Sequence, residues 1–272
     1  MLVGFLLGFR EGLEAALITG AVFGALDKIG QRQWRRYVWL GLAAAVMISA
    51  AAGWGFHWLG ITLEGKAEKI FEGVTMILAA GILTWMILWM QKQAGNLQEG
   101  MARDIHQAAE ANNGWGIFSL VFFAVFREGL ELALFLTAAG LNAGFQLSLI
   151  GGLIGIAAAA AVGWALFKSL IQLRLSIFFR VTKVLFILIA AGLLAYGIHE
   201  FNELGWIPGI VSPVWDINPI LPEQSVLGSL LKSILGYNGN PSLTEVGGYI
   251  LYILTMFFIS QKSRRDFLSD AG

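Results

Sequence analysis

The chain has 272 residues, 57% hydrophobic and only 13% charged, with a mean hydropathy of +0.71. Soluble domains carry roughly 25% charged residues, so this composition excludes a soluble globular protein and describes an integral membrane protein. Net charge is zero, which marks no nucleic-acid partner, and the absence of cysteine excludes disulfides, thiolate metal sites and iron–sulfur clusters.

The N-terminus has neither a basic region nor a small-residue cleavage site, so the first apolar stretch is expected to remain as a span. About 20 mostly apolar residues cross the hydrocarbon. Seven segments qualify, roughly 2–26, 37–59, 70–90, 115–141, 147–171, 181–204 and 246–259. The expected fold class is all-α, a polytopic membrane protein with seven transmembrane helices. Residues 91–113 are polar and helix-prone, and read as a cytoplasmic arm. All five prolines, Pro208, Pro213, Pro219, Pro222 and Pro241, fall in a main outer loop at about 205–245. Within it Val226, Leu227, Leu230, Leu231, Ile234 and Leu235 recur at helical spacing, which predicts a short helix lying on the outer membrane surface.

Spans 1 and 4 each contain Phe-Arg-Glu-Gly-Leu-Glu, from Phe9 to Glu14 and from Phe126 to Glu131. Over residues 9–17 and 126–134 the copies differ only at Ala15 against Leu132. Ionisable residues at membrane depth are costly and mark substrate or ion paths. Residues three or four apart share a helix face, so Glu11 points with Glu14 and Glu128 with Glu131. Arg10 reaches Glu14, and Arg127 reaches Glu131. Gly12 and Gly129 allow close helix approach, expected where spans 1 and 4 meet. Four glutamates and two arginines leave a charge of −2 if all ionise. Such carboxylates cannot all stay charged without a cation among them. Oxygen-only ligands suit a hard cation: magnesium, calcium, manganese or ferric iron. The plain alternative is a pair of buried Arg–Glu bridges locking two helices, which leaves Glu11 and Glu128 without a role.

The loops give an orientation. Thirteen Lys and Arg fall on one side, three on the other (Lys66, Lys69 and Lys232), and two in the spans. The excess marks the cytoplasmic side, so the N-terminus is expected outside and the C-terminus inside. Span 1 then runs inward and span 4 outward, making the motif copies antiparallel. Residues 79–83 in span 3 echo 190–194 in span 6. The expected plan is one permease domain over 1–272, an inverted three-plus-three repeat plus a seventh helix: repeat A at about 1–91, repeat B at about 115–204, the outer loop, and the seventh span at about 246–262.

The paired motifs resemble those of the oxidase-dependent iron permeases, the fungal high-affinity iron permease and its bacterial relatives. The resemblance extends to Phe71-Glu72-Gly73, Leu83-Thr84-Trp85-Met86, Trp89-Met90, His199-Glu200, Gly205-Trp206, Gly236-Tyr237, Pro241-Ser242 and Glu245-Val246. It implies an iron permease, not an enzyme, of the inner or plasma membrane. It implies no cofactor, iron as the transported substrate, and Glu11, Glu14, Glu128 and Glu131 as the metal-handling residues, organised by Arg10, Arg127, Gly12 and Gly129. It also implies a separate oxidase or iron-delivery protein on the outer side, since this chain cannot build a multicopper site. The oxidation state of the iron, proton coupling and any homo-oligomer stay open. A carrier of manganese or magnesium, or a non-transporting receptor or scaffold, are the rival readings.

Glu72, His199, Glu200 and Glu203 stand near the outer ends of spans 3 and 6 and form a candidate outer entrance that would concentrate cations. Glu64 and Glu68 read as interfacial charge paired by Lys66 and Lys69. His57 reads as an interfacial residue, His106 as solvated, and Met86, Met90 and Met256 as packing.

Overall fold

The computed structural model describes residues 1–93, 114–167 and 175–269. The expected cytoplasmic arm, with His106, lies outside them from residue 94 onward. Among the described residues all regular structure is helical. The order is α1 (Leu2–Lys28), a 3-10 turn (Arg32–Trp34), α2 (Arg35–Thr62), α3 (Lys66–Gln93), α4 (Gly114–Ala143), α5 (Phe145–Phe167), α6 (Leu175–Glu203), α7 (Val226–Leu235) and α8 (Leu243–Ser269). Five of these, α2, α3, α5, α6 and α8, are long and apolar enough to cross a membrane. Helices α1 and α4 are as long, at 27 and 30 residues, but every span-length stretch of either includes three or more charged residues. The chain is a multi-pass membrane protein whose described residues form only helices and turns.

It divides into two compact units. The first holds α1, α2 as far as Leu59, α4 as far as Gly140, and α5; the second holds α3, α6, α7 and α8.

In the first unit α1 lies along α5 in the same direction. Gly4 meets Ser148, Gly8 meets Gly152, Gly12 meets Ile156 and Ala159, and Ala16 meets Gly163. At Gly4 and Gly8 a Cβ would run into backbone of α5, so this contact is open only to glycine. Helix α2 lies along α4 in the same manner, Gly41 against Phe118 and Phe122, Ser49 against Gly129, and Gly53 against Ala133. The two interfaces are copies. An offset of 117 relates α1 to α4 (126 minus 9), and one of 110 relates α2 to α5 (159 minus 49). These offsets carry Gly12–Ala159 onto Gly129–Ser49 and Ala16–Gly163 onto Ala133–Gly53. They also carry the contact of Gly151 with Met1 and Phe5 onto that of Gly41 with Phe118 and Phe122. Even the ring stacking repeats, Phe5 on Phe9 at 5.9 Å and Phe122 on Phe126 at 5.4 Å.

Val22 and Leu26, late in α1, share a buried cluster with Ile117, Val121 and Val125, early in α4, and with Val38 and Ala45 of α2. Glu11, early in α1, meets Glu128 and Glu131, later in α4. Helices α1 and α4 therefore run antiparallel. Gly144, at φ +93, makes the abrupt link from α4 to α5.

In the second unit α3 and α6 are antiparallel, Gly73 against Glu200 and Phe201, and Gly197 against Ile77. Helix α8 also runs against α6. Lys183 Nζ donates to Ser260 Oγ at 2.9 Å at one end, and His199 meets Glu245 at the other. Thr84 Oγ1 lies 2.7 Å from Tyr252 Oη, joining α3 to α8. The long loop between α6 and α8 is ordered by pairing of its two arms: Val214 N donates to Pro241 O and Ile217 N to Gly239 O, both at 2.8 Å, and Leu243 N to Val211 O at 2.9 Å. Ser225 caps α7 by accepting from Gly228 N at 2.9 Å, and left-handed Gly236, at φ +67, ends it. Gly236 touches α6 at Gly192.

Candidate metal centre

The motif stays helical through its charges because apolar residues on both sides carry α1 and α4 onward without a break. The pairs expected at four residues form. Arg10 Nη2 lies 2.6 Å from Glu14 Oε1, and Arg127 Nε lies 3.0 Å from Glu131 Oε1. Arg10 does more than the spacing predicts, since its Nη1 also holds Glu11 Oε1 at 2.5 Å. Its guanidinium forks across both glutamates of its own motif. Arg10 is 1% exposed, against 40% for Arg127.

The carboxylates of Glu11, Glu128 and Glu131 converge. One oxygen from each lies within 4.8 Å of the others, and all three residues are buried. Glu11 Oε2, Glu128 Oε2 and Glu131 Oε2 have no hydrogen-bond partner among the described residues. A buried ionised oxygen without a partner is costly. Oxygens sharing one hard cation at about 2.0–2.6 Å lie at most about 5 Å apart, so the three fit around a single ion. Glu14 is not one of the three.

Gly12 and Gly129 sit elsewhere than expected. Their bare faces turn not to the meeting of α1 and α4 but outward, Gly12 to α5 and Gly129 to α2. At Gly129 the space of a Cβ is taken by Ser49 Oγ, which also approaches Phe126 O at 3.5 Å. No reading of the motif singled out Ser49. Its signal was the small-residue spacing Gly41, Ala45, Ser49, Gly53 along α2.

The second unit holds the residues expected at an outer entrance. His199 Nδ1 lies 3.1 Å from Glu245 Oε1, and its Nε2 lies 3.3 Å from Glu203 Oε1. Lys69 pairs with Glu203 rather than with Glu64 or Glu68 in its own segment. Glu203 is therefore already held by two partners. Glu200 borders the contact of α6 with Gly73, next to Glu72 in α3. Glu245 is buried and accepts from Ser242 N at 3.1 Å and Asn238 Nδ2 at 2.8 Å, while Glu245 N donates to Ser242 Oγ at 3.3 Å. This is a capping box, Ser-x-x-Glu, at the start of α8. It was present in the sequence but not picked out there. His57 stacks on Phe145 with centroids 3.6 Å apart. Met86 and Met256 are buried packing residues, and the side chain of Met90 lies outside the described ones.

The model of the iron permease FTR1 family matches residues 1–264. The chain belongs to this family. Its relatives include the ferrous iron permease EfeU of Yersinia pestis, 34% identical over 273 residues that cover 97% of this chain and 95% of the relative. The ferrous iron permease EfeU of Escherichia coli O157:H7 is 33% identical over 261 residues, 93% of each chain. No solved structure matches the chain. Family membership makes it a multi-pass protein of iron transport, and its relatives are named as permeases rather than enzymes.

Proposed function

We propose that this chain carries ferrous iron inward across the inner or plasma membrane through a carboxylate site between α1 and α4. Glu11, Glu128 and Glu131 bind the ion, Glu14 is the adjacent fourth carboxylate, and Arg10 and Arg127 hold the glutamates and limit their mutual repulsion. The observation that carries this reading is the set of three buried carboxylates that converge closely enough to share one ion, each with one oxygen that no hydrogen bond satisfies. Four glutamates against two arginines leave −2, which a divalent ion neutralises. That matches the ferrous iron named for the relatives.

The spans follow an inverted three-plus-three repeat plus a seventh helix, all one permease domain. The offsets that convert the α1–α5 contacts into the α4–α2 contacts support this, as does the antiparallel course of α1 and α4. The thirteen-to-three Lys and Arg split supports an N-terminus outside and a cytoplasmic C-terminus. A cysteine at Gln33 should then be shielded from an impermeant reagent in intact cells, and one at Gln224 labelled. The reverse pattern would overturn the orientation.

The test of the site is initial radio-iron uptake per folded protein, with bound iron measured on the purified permease. Glu11→Gln, Glu128→Gln and Glu131→Gln should each lose both. Gln keeps the shape and one acceptor oxygen but removes the charge that a hard cation needs. Normal uptake by Glu11→Gln and Glu128→Gln would mean that the motif does not carry the ion. Preference for manganese over iron in the same assay would move the chain to the rival cation.

A further inference from the structure

We propose that α7 and the segment returning from it form a re-entrant hairpin immersed in the outer half of the bilayer, its apolar face against lipid acyl chains. The proposal rests on the reading of α6 and α8 as spans. The first observation is depth. The apolar stretch of α6 runs from Thr182 to Glu203, and Gly192 is at its middle. A Cβ on Gly192 would lie 2.6 Å from Gly236 Cα, so the end of α7 touches the α6 backbone there. The eleven residues from Gly192 to Glu203 amount to about 16 Å of helix, half of a hydrocarbon core of about 30 Å. From Gly236 the chain climbs along α6. Tyr196 Oη donates to Tyr237 O at 2.7 Å, and Asn202 Nδ2 donates to Ser242 Oγ at 2.7 Å near the outer end. Helix α7 has ten residues, about 15 Å of rise, enough to connect that depth with the outer face.

The second observation is which side of α7 faces out. Leu227, Leu230 and Leu235 are 58%, 42% and 37% exposed. Lys232 is turned inward, its Nζ 3.0 Å from Glu223 Oε2 and 4.9 Å from the centroid of the Tyr196 ring. Apolar outside and charged inside is inverted for a helix in water and ordinary for one in lipid. The third observation is that backbone groups along the returning segment find partners within the protein, as lipid requires. Gly236 N donates to Lys232 O, Tyr237 N to Leu231 O, and Gly239 N to Glu223 Oε1 at 2.9 Å. Gly239 O and Pro241 O accept from Ile217 N and Val214 N. A hairpin so placed brings the carbonyl end of α7, the negative end of its dipole, to mid-membrane, where it favours cations over anions.

The chain lacks cysteine, so single cysteines at Leu227, Leu230 and Leu235 can be spin-labelled in proteoliposomes. Collision rates with oxygen and with a water-soluble nickel chelate then report depth. Cysteines at Ile250, Leu254 and Phe257, exposed along α8, calibrate the scale. The label at Leu235 should read the mid-bilayer value, high for oxygen and low for nickel, with Leu227 shallower. A Gly192→Leu change, which collides with Gly236, should raise nickel access at Leu235. Equal headgroup depth at all three α7 positions, with the α8 gradient intact, would overturn the hairpin. So would a Leu235 label that Gly192→Leu leaves unmoved. Loss of the α8 gradient would overturn the spanning reading and the hairpin with it.

Discussion

The two copies of the motif match at eight of nine positions over residues 9–17 and 126–134 and keep equivalent helix contacts, yet the packing and burial beside them differ. The first copy rides on a backbone-to-backbone contact, with Gly4, Gly8 and Gly12 of α1 against Ser148, Gly152, Ile156 and Ala159 of α5. At the equivalent places α4 has Val121, Val125 and Gly129, and α2 has Val38, Leu42 and Ser49. These valines and Leu42 belong to an ordinary aliphatic cluster. Gly151 and its counterpart Gly41 meet backbone in both repeats, but the first adds Gly4 and Gly8 on the motif helix where the second has valines. The charges follow suit. Arg10 is buried and forks over Glu11 and Glu14, whereas Arg127 is partly exposed and holds Glu131. Glu131 joins the three converging carboxylates, and its counterpart Glu14 does not. Sequence identity over a motif thus fixes the local charge pattern. The depth at which that pattern is buried is set by the neighbouring helix.

This contrast can be broken at several points. The largest expected effect is at the counterpart glutamates. Glu131→Gln should lower uptake by at least about 100-fold, since even residues outside the ligand set are worth 10–100-fold in metal affinity. Glu14→Gln should fall short of that loss. Equal losses would mean that the site is symmetric and uses four ligands alike.

Next comes packing. Gly8→Val would drive a side chain into the backbone of α5, and little folded protein should be recovered from the membrane. Its counterpart already is Val125, and Val125→Ala should only open a small void, costing about 1–2 kcal/mol. Thermal unfolding of the two variants in detergent measures the difference. Comparable loss in both would remove the distinction between glycine on the first motif helix and valine on the second.

Smaller effects are expected at the arginines. A lysine cannot fork across two carboxylates as a guanidinium does, so Arg10→Lys should reduce uptake on the order of tenfold, a loss of about 1.4 kcal/mol. Arg127→Lys should stay near the parent. The smallest is a rescue. Gly129→Ala collides with Ser49 Oγ, and Ser49→Gly in the same chain should restore most of the lost stability. Gly12→Ala, which meets Ala159 Cβ at 3.0 Å, should need only slight adjustment.

The sequence by itself determined the helices, because runs of about 20 apolar residues must satisfy their backbone internally in lipid. It also determined the Arg10–Glu14 and Arg127–Glu131 pairs, which depend only on helical spacing. What needed the tertiary structure is every relation between helices. That three of the four glutamates converge, that Gly12 serves α5 and Gly129 serves α2, and that Lys69 finds Glu203 depend on how one helix is shifted along another. That shift is fixed by which residues lack a side chain at the contact, Gly8 on Gly152 or Gly73 on Phe201. No periodicity within one helix encodes it. The same holds for the outer loop. Its apolar spacing announces an amphipathic helix, but spacing is identical for a helix resting on a surface and one let in beside α6. The proposed choice between them rests on a tertiary contact, the meeting of Gly236 with Gly192.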